Sequence, residues 1–118
     1  MSVSPTFRVF VLEQLQRSVA ALRAKSMFGG VGIYSGELFF ALIADDTLYF
    51  KVDDTTRPDF LARGMEPFRP YGEGGEVMQY YQVAEELLED AEQLKVWAEG
   101  AIGAAQRARR RGPRKRGS

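Results

Sequence analysis

The chain has 118 residues, 45% hydrophobic and 27% charged, with sixteen Lys/Arg against sixteen Asp/Glu, enough for one domain with its own core. Neither Cys nor His occurs, which excludes disulfides, thiolate metal sites and the imidazole that most often serves as general base or metal ligand. No apolar run approaches the ~18 residues of a membrane span, and the N-terminus lacks the features of a signal peptide, so a cytoplasmic protein with no membrane partner is expected.

The net charge of zero hides a separation. Residues 1–106 carry nine Lys/Arg against sixteen Asp/Glu, a net of −7. Residues 107–118 carry Arg107, Arg109, Arg110, Arg111, Arg114, Lys115 and Arg116 with no acid, a net of +7. The chain therefore divides into a folded domain, 1–106, and a disordered basic tail, 107–118.

Ser4-Pro5 marks a helix start, because Ser caps free N–H groups and Pro suits the first helical position. Phe7, Val11, Leu15, Val19 and Leu22 then recur at three- or four-residue steps, which predicts an amphipathic helix to about residue 24 with its apolar face on the core. A partner-binding helix has the same pattern.

From Ser26 to Lys51 three β-favouring runs are separated by the turn signals Ser35-Gly36 and Asp45-Asp46, which predicts a three-stranded meander. Alternation puts Phe28, Gly30, Gly32 and Tyr34 on one face and Val31 and Ile33 on the other. Leu38, Phe40, Leu42 and Ala44 oppose Phe39, Ala41 and Ile43, and Leu48 and Phe50 oppose Tyr49 and Lys51. Apolar residues on both faces predict a sheet partly covered on each side.

Thr55 or Thr56 caps a short helix through Arg63, with Phe60 and Leu61 inward and Gly64 ending it. Residues 66–71 are too rich in proline for a central strand and read as an edge. Gly72 to Glu76 form a turn, and Val77 to Val83 a fifth strand. Asp90 with Gln93 makes a capping box before a closing helix whose apolar positions include Leu94, Trp97 or Ala98, Ala101, Ile102 and Ala105. Leu87 and Leu88 belong to that helix or to a preceding turn. The many alanines predict close packing, and Gly112-Pro113 ends helical potential.

The order helix, three strands, short helix, two strands, helix comes with a set of dispersed motifs. These are Met27-Phe28-Gly29-Gly30 with Gly32 and Tyr34, Phe39-Phe40, Leu48-Tyr49-Phe50-Lys51-Val52-Asp53, Phe60 and Gly64, Met65 with Phe68, Tyr80-Tyr81, Leu88-Glu89-Asp90, Leu94, Trp97-Ala98 and Ala101. Together they resemble the TfoX N-terminal domain over roughly residues 8 to 106. The resemblance implies a two-layer α+β domain with a mostly antiparallel five-stranded sheet in the order α-β-β-β-α-β-β-α, similar in outline to secretion chaperones. It also implies kinship with bacterial regulators of natural competence that act with a cyclic-AMP-responsive transcription activator. Met27, Phe28, Gly29, Gly30, Gly32, Tyr34, Lys51 and Trp97 are family motif positions with an expected structural role.

Chemistry is harder to place. Gly29-Gly30-x-Gly32 does not sit between a strand and a helix, and no Lys-Ser/Thr follows, so a bend or a close approach of the first helix competes with phosphate binding. Asp45, Asp46, Asp53 and Asp54 fall at a hairpin turn and a helix start, where turn and cap chemistry compete with cation binding. A Ser or Thr nucleophile needs a base, and only Lys25, Lys51 or a carboxylate could serve, with no spacing that singles one out. We expect no catalytic, metal or cofactor site. The seven tail cations can neutralise nucleic-acid phosphates without reading sequence; a solubilising terminus, or attraction to anionic lipid or to the acidic body, are the alternatives. The expected function is a non-enzymatic accessory regulator that contacts a protein partner, such as transcription machinery, with weak tail-mediated nucleic-acid contact. The alternative is a stand-alone interaction or assembly module with no nucleic-acid role. A homodimer through the edge near Phe68 or through the first helix is a further expectation.

Overall fold

The computed structural model describes residues 3–27, 29–69 and 79–111. It begins with helix α1, Pro5–Gln16, where the Ser4 hydroxyl accepts the Phe7 N–H at 3.2 Å and Pro5 occupies the first turn. The Ser4 N–H donates to Asp46 Oδ1 at 2.7 Å, which ties the helix start to the Asp45-Asp46 turn. Val11 and Leu15 are fully buried.

The helix stops eight residues before the expected boundary of about 24. The N–H groups of Ser18 and Val19 both donate to Leu15 O, and Ala21 takes a left-handed φ of 52° that turns the chain. Leu22–Met27 is then strand β1. Leu22 and Val19 fit a helical period, but Leu22-Arg23-Ala24-Lys25 also alternates, and pairing with residues 30–35 overrides the helix preference of the alanines.

The remaining strands are β2, Gly30–Ser35; β3, Leu38–Ala44; β4, Thr47–Lys51; and β5, Tyr80–Gln82. They form one antiparallel sheet in the order β1-β2-β3-β4-β5. The α+β class and the five-stranded antiparallel sheet agree with expectation. The strand that the sequence reading missed is β1, so the meander has four strands before α2, Arg57–Ala62. The proline-rich edge near Phe68 is reduced to a bridge between Pro67 and Tyr81, flanked by Phe68 N–H to Tyr80 O at 2.7 Å and Gln82 N–H to Glu66 O at 2.8 Å. Proline lacks the donor a longer ladder needs. The Gly72–Glu76 turn and the start of the expected fifth strand lie outside the described residues.

Between Ala44 and Thr47, both Asp45 and Asp46 have φ near 53°, the type I′ geometry that matches strand twist and that Asp tolerates. The β2–β3 turn falls at Gly36-Glu37, one residue later than expected.

A bulge changes the expected alternation of β3. Ile33 pairs with Ala41 but Tyr34 pairs with Phe39, leaving Phe40 as the extra residue. Phe40, Ala41 and Ile43 are all fully buried, whereas Phe39 and Leu42 keep the face of Tyr34 and Gly32. The extra residue thus brings Phe40 against Phe50, with ring centroids 5.9 Å apart.

Helices α1 and α4, Ala91–Arg111, cover the inner face, with α4 across β3 and β4. Leu94, Ala98, Ala101 and Ala105 form the buried stripe of α4, and their small side chains let the helix approach the sheet closely. Short α3, Glu85–Leu88, buries Leu87 and Leu88 just before it. Asp90 Oδ1 accepts the Glu92 and Gln93 N–H groups at 3.2 Å, and Gln93 Nε2 donates back to Asp90 Oδ2 at 2.9 Å. These bonds, the Gln93 side chain first, hold the Asp90 carboxyl below its usual range. In α2, Phe60 is buried but Leu61 is 56% exposed, against the expectation that both face inward. One turn of helix cannot bury adjacent positions equally. Among the described residues no helix is long and apolar enough to cross a membrane.

Candidate functional site

At one end of the sheet the C-terminal turns of α4 meet the β2–β3 turn, the end of β4 and the start of α2. Asp53 organises this corner. Its Oδ1 accepts the N–H groups of Thr55 at 3.0 Å and Thr56 at 3.3 Å, while its own N–H donates to Thr56 Oγ1 at 3.1 Å. This reciprocal set starts α2. From the other side Arg107 Nε reaches Asp53 Oδ2 at 2.6 Å and Arg107 Nη2 reaches Oδ1 at 3.1 Å, a bidentate pair. The Arg107 hydrogen bond, and then its charge, hold the Asp53 carboxyl below the usual range even though partial burial pushes the other way.

The basic segment therefore does not begin as a disordered tail. Residues 107–111 are the last turn and more of α4, so the domain runs past the expected boundary at 106. The helix persists because Gly112-Pro113 is the first breaking signal and Arg107 is anchored on Asp53. Arg109 Nη2 meets Glu37 Oε1 at 2.9 Å, with the two side chains 61% and 76% exposed. Arg110 is exposed, and Arg111 is the final residue of the helix. Arg114, Lys115 and Arg116 lie outside the described residues.

Between this helix end and the sheet, Lys51, Asp53, Asp54, Arg57, Gln79, Ala104 and Ala108 line an open cleft of about 320 Å³. Arg57 is held there by Asp54 Oδ1 at 2.7 Å and by the side chain of Gln79. Of the four aspartates, Asp45 and Asp46 make the hairpin turn, Asp53 holds Arg107 and Asp54 holds Arg57.

The outer sheet face carries no helix among the described residues. Its side chains cover one another in a row: Arg23 lies 5.1 Å from the Tyr34 ring centroid, Tyr34 stacks on Phe39 at 5.0 Å, and Phe39 meets Tyr80 at 5.6 Å. The Lys51 ammonium closes the row 5.2 Å from the Tyr80 ring. Burial pushes the Tyr80 phenol up to about 12, with Tyr34 adding to the shift. Burial pulls the Lys51 ammonium below its usual range, against the opposing pull of Asp53.

Seven of the eight family motif positions lie among the described residues. Gly29 has φ of 80°, in the left-handed region, and sits in the turn that joins β1 to β2. A Cβ on Gly30 would lie 2.5 Å from Ile43 O, and one on Gly32 would lie 2.6 Å from Met27 Cε and 3.2 Å from Phe39 Cε1. Gly29 thus makes the bend that was one of the two expectations, while Gly30 and Gly32 admit atoms of the neighbouring strands and not of the first helix. Tyr34 and Lys51 belong to the outer row. Trp97 meets Phe60 edge to face at 4.8 Å, under Arg63 at 5.7 Å. Phe28 lies outside the described residues.

Sequence reasoning missed Asp53 as the anchor of Arg107, because a partner 54 residues away leaves no local signal. It also missed Arg23 and Lys25 as strand residues. The alternation of Leu22-Arg23-Ala24-Lys25 was the available clue.

No curated protein matches the chain. The family model for the TfoX N-terminal domain matches residues 13–105, a span that holds every strand, the end of α1 and most of α4, and on that match the chain belongs to the TfoX N-terminal domain family.

Proposed function

We propose that this protein is a non-enzymatic accessory protein of the TfoX kind, a bacterial, cytoplasmic regulator related to transcription or competence. It acts through contacts with a protein partner and adds weak, sequence-independent nucleic-acid affinity from its basic C-terminal segment. The observation that carries the nucleic-acid part is the helical extension of α4, which holds Arg109 and Arg110 outward at one end of an otherwise acidic domain. The Arg109–Glu37 pair is exposed on both sides, so a phosphate can displace Glu37 at little cost. Arg107 is committed to Asp53 and is not counted among the phosphate contacts.

Fluorescence anisotropy with a labelled DNA duplex tests this reading. With about three to five phosphates contacted, log affinity should fall against log salt with a slope of about −3 to −4.5, at ~0.9 counterions per contact. Arg109→Glu with Arg110→Glu should weaken binding at low salt at least about tenfold while leaving the melting temperature unchanged. Equal, negligible binding by wild type and variant would leave a stand-alone interaction module with no nucleic-acid role.

A further inference from the structure

Strand β1 is an edge of the sheet: one side pairs with β2, and among the described residues nothing pairs with the other. Met27 and Gly30 close the β1–β2 turn, and the pair flanking a two-residue turn is hydrogen-bonded. The alternation of an antiparallel ladder then directs the main-chain groups of Met27, Lys25 and Arg23 at β2, and those of Leu22, Ala24 and Ser26 outward. The Gly36 N–H bond to Ala21 O follows the same parity. The edge therefore offers three N–H and three C=O groups in a row.

Charge singles out this edge. The first 36 residues carry Arg8, Arg17, Arg23 and Lys25 with one acid, Glu13, while residues 37–106 carry five cations and fifteen acids. All four cations sit on α1, directly after it, or on β1. Arg8 Nη1 donates to Ser26 Oγ at 3.1 Å, which places that side of α1 along the strand. Arg23 and Lys25 are exposed on the outer face.

The same side chains decide between two occupants. A second copy pairing antiparallel about a two-fold axis matches residues of the same face. Centred on Ala24 it sets Arg23 against Lys25, and centred on Lys25 it sets Lys25 against itself. Like charges directly opposite destabilise a ladder, the usual protection of an edge. An acidic strand meets the opposite situation.

We propose that the β1 edge accepts an extended acidic segment of a partner protein as a sixth strand. Its carboxylates lie beside Arg23 and Lys25, and its alternate apolar side chains lie on the inner face beside Leu12, one turn on from Arg8. Main-chain bonds supply affinity and the cations select the segment. The proposal rests on the reading that the domain works through protein contacts, and it names where.

The test uses the full chain, isotope-labelled, with two twelve-residue peptides, one alternating Glu and Val and one alternating Lys and Val. The Glu-Val peptide should slow exchange of the Leu22, Ala24 and Ser26 amides about tenfold at low salt, leaving the β2-paired amides of Arg23 and Lys25 unchanged. Lys25→Glu alters a side chain that bonds nothing among the described residues, and should weaken that peptide about fivefold or more. Ala24→Pro removes one outward donor without changing charge, at an edge position that tolerates proline, and should also weaken it. Equal binding of both peptides, protection elsewhere, no effect of Ala24→Pro, or no binding at millimolar peptide would overturn the proposal. Lysate proteins retained equally by wild type and by Lys25→Glu/Ala24→Pro would do so too, while leaving the broader reading of a protein-contact domain intact.

Discussion

Asp53 serves the turn before α2 and the end of α4 with one carboxylate. Its side chain is 15% exposed, but that of Arg107 is 37% exposed, so solvent screening keeps the pair below the value of a buried one. Arg107→Met should cost about 1–2 kcal/mol, read by urea unfolding at neutral pH. Because the carboxyl is held below the usual carboxylate range, its stabilisation is present above the unfolded value and is lost as pH falls through the lowered folded value. Wild type and Arg107→Met should therefore converge in stability as the pH falls below the usual carboxylate range, and a difference that stays constant on acidification would place the interaction elsewhere. The glycines make a second contrast at this scale. At Gly30 the obstacle to a Cβ is the Ile43 carbonyl, whereas at Gly32 it is chiefly the far end of the Met27 side chain. Gly30→Ala should cost about 1–3 kcal/mol because two strands must shift, and Gly32→Ala less than about 1 kcal/mol because Met27 can yield. Equal thermal losses would contradict that geometry.

Helix α4 changes what a truncation means. A chain ending at Gln106 loses five helical residues, Arg107 among them, as well as charge, so it should melt several degrees lower, in line with a loss of about 1–2 kcal/mol. One ending at Arg111 should melt like the full chain. Indistinguishable melting of all three would show that the Asp53 pair contributes nothing. The elements also show what was legible. Helix caps at Ser4 and Asp90, the Asp45-Asp46 turn and the β4 alternation were readable because each is set by residues within a few positions. Strand β1 was not, because Val19 and Leu22 satisfy a helical step while Leu22 to Lys25 satisfy a strand alternation, and only pairing with β2 decides. The bulge at Phe40 was hidden for the same reason: it is a mismatch between two strands, absent from either alone. At the candidate site the cationic residues were visible as composition, but their division into Arg107 bound to Asp53 and Arg110 facing solvent depends on the third dimension.

Across the molecule one core joins all the helices to the sheet. Val11 and Leu15 from α1, Phe60 from α2, Leu87 from α3, and Leu94, Ala98 and Ala101 from α4 share a cluster with Val31, Ile33, Phe40, Ile43, Leu48 and Phe50. No layer keeps an apolar face buried once the others leave, so unfolding should be a single cooperative transition. The sole tryptophan gives a local view of that event. Trp97 sits edge to face against Phe60 with planes at 87°, and Phe60 in turn meets Tyr81 at 6.0 Å, linking α4 through α2 to β5. Thermal melts followed by Trp97 fluorescence and by far-ultraviolet circular dichroism should therefore coincide. Phe60→Ala removes the middle ring of this chain and should cost about 3–5 kcal/mol, lowering both midpoints together because the contact belongs to the common core. A fluorescence transition several degrees below the dichroism would show that the α2–α4 corner opens by itself and that the cooperative unit is the sheet with α1.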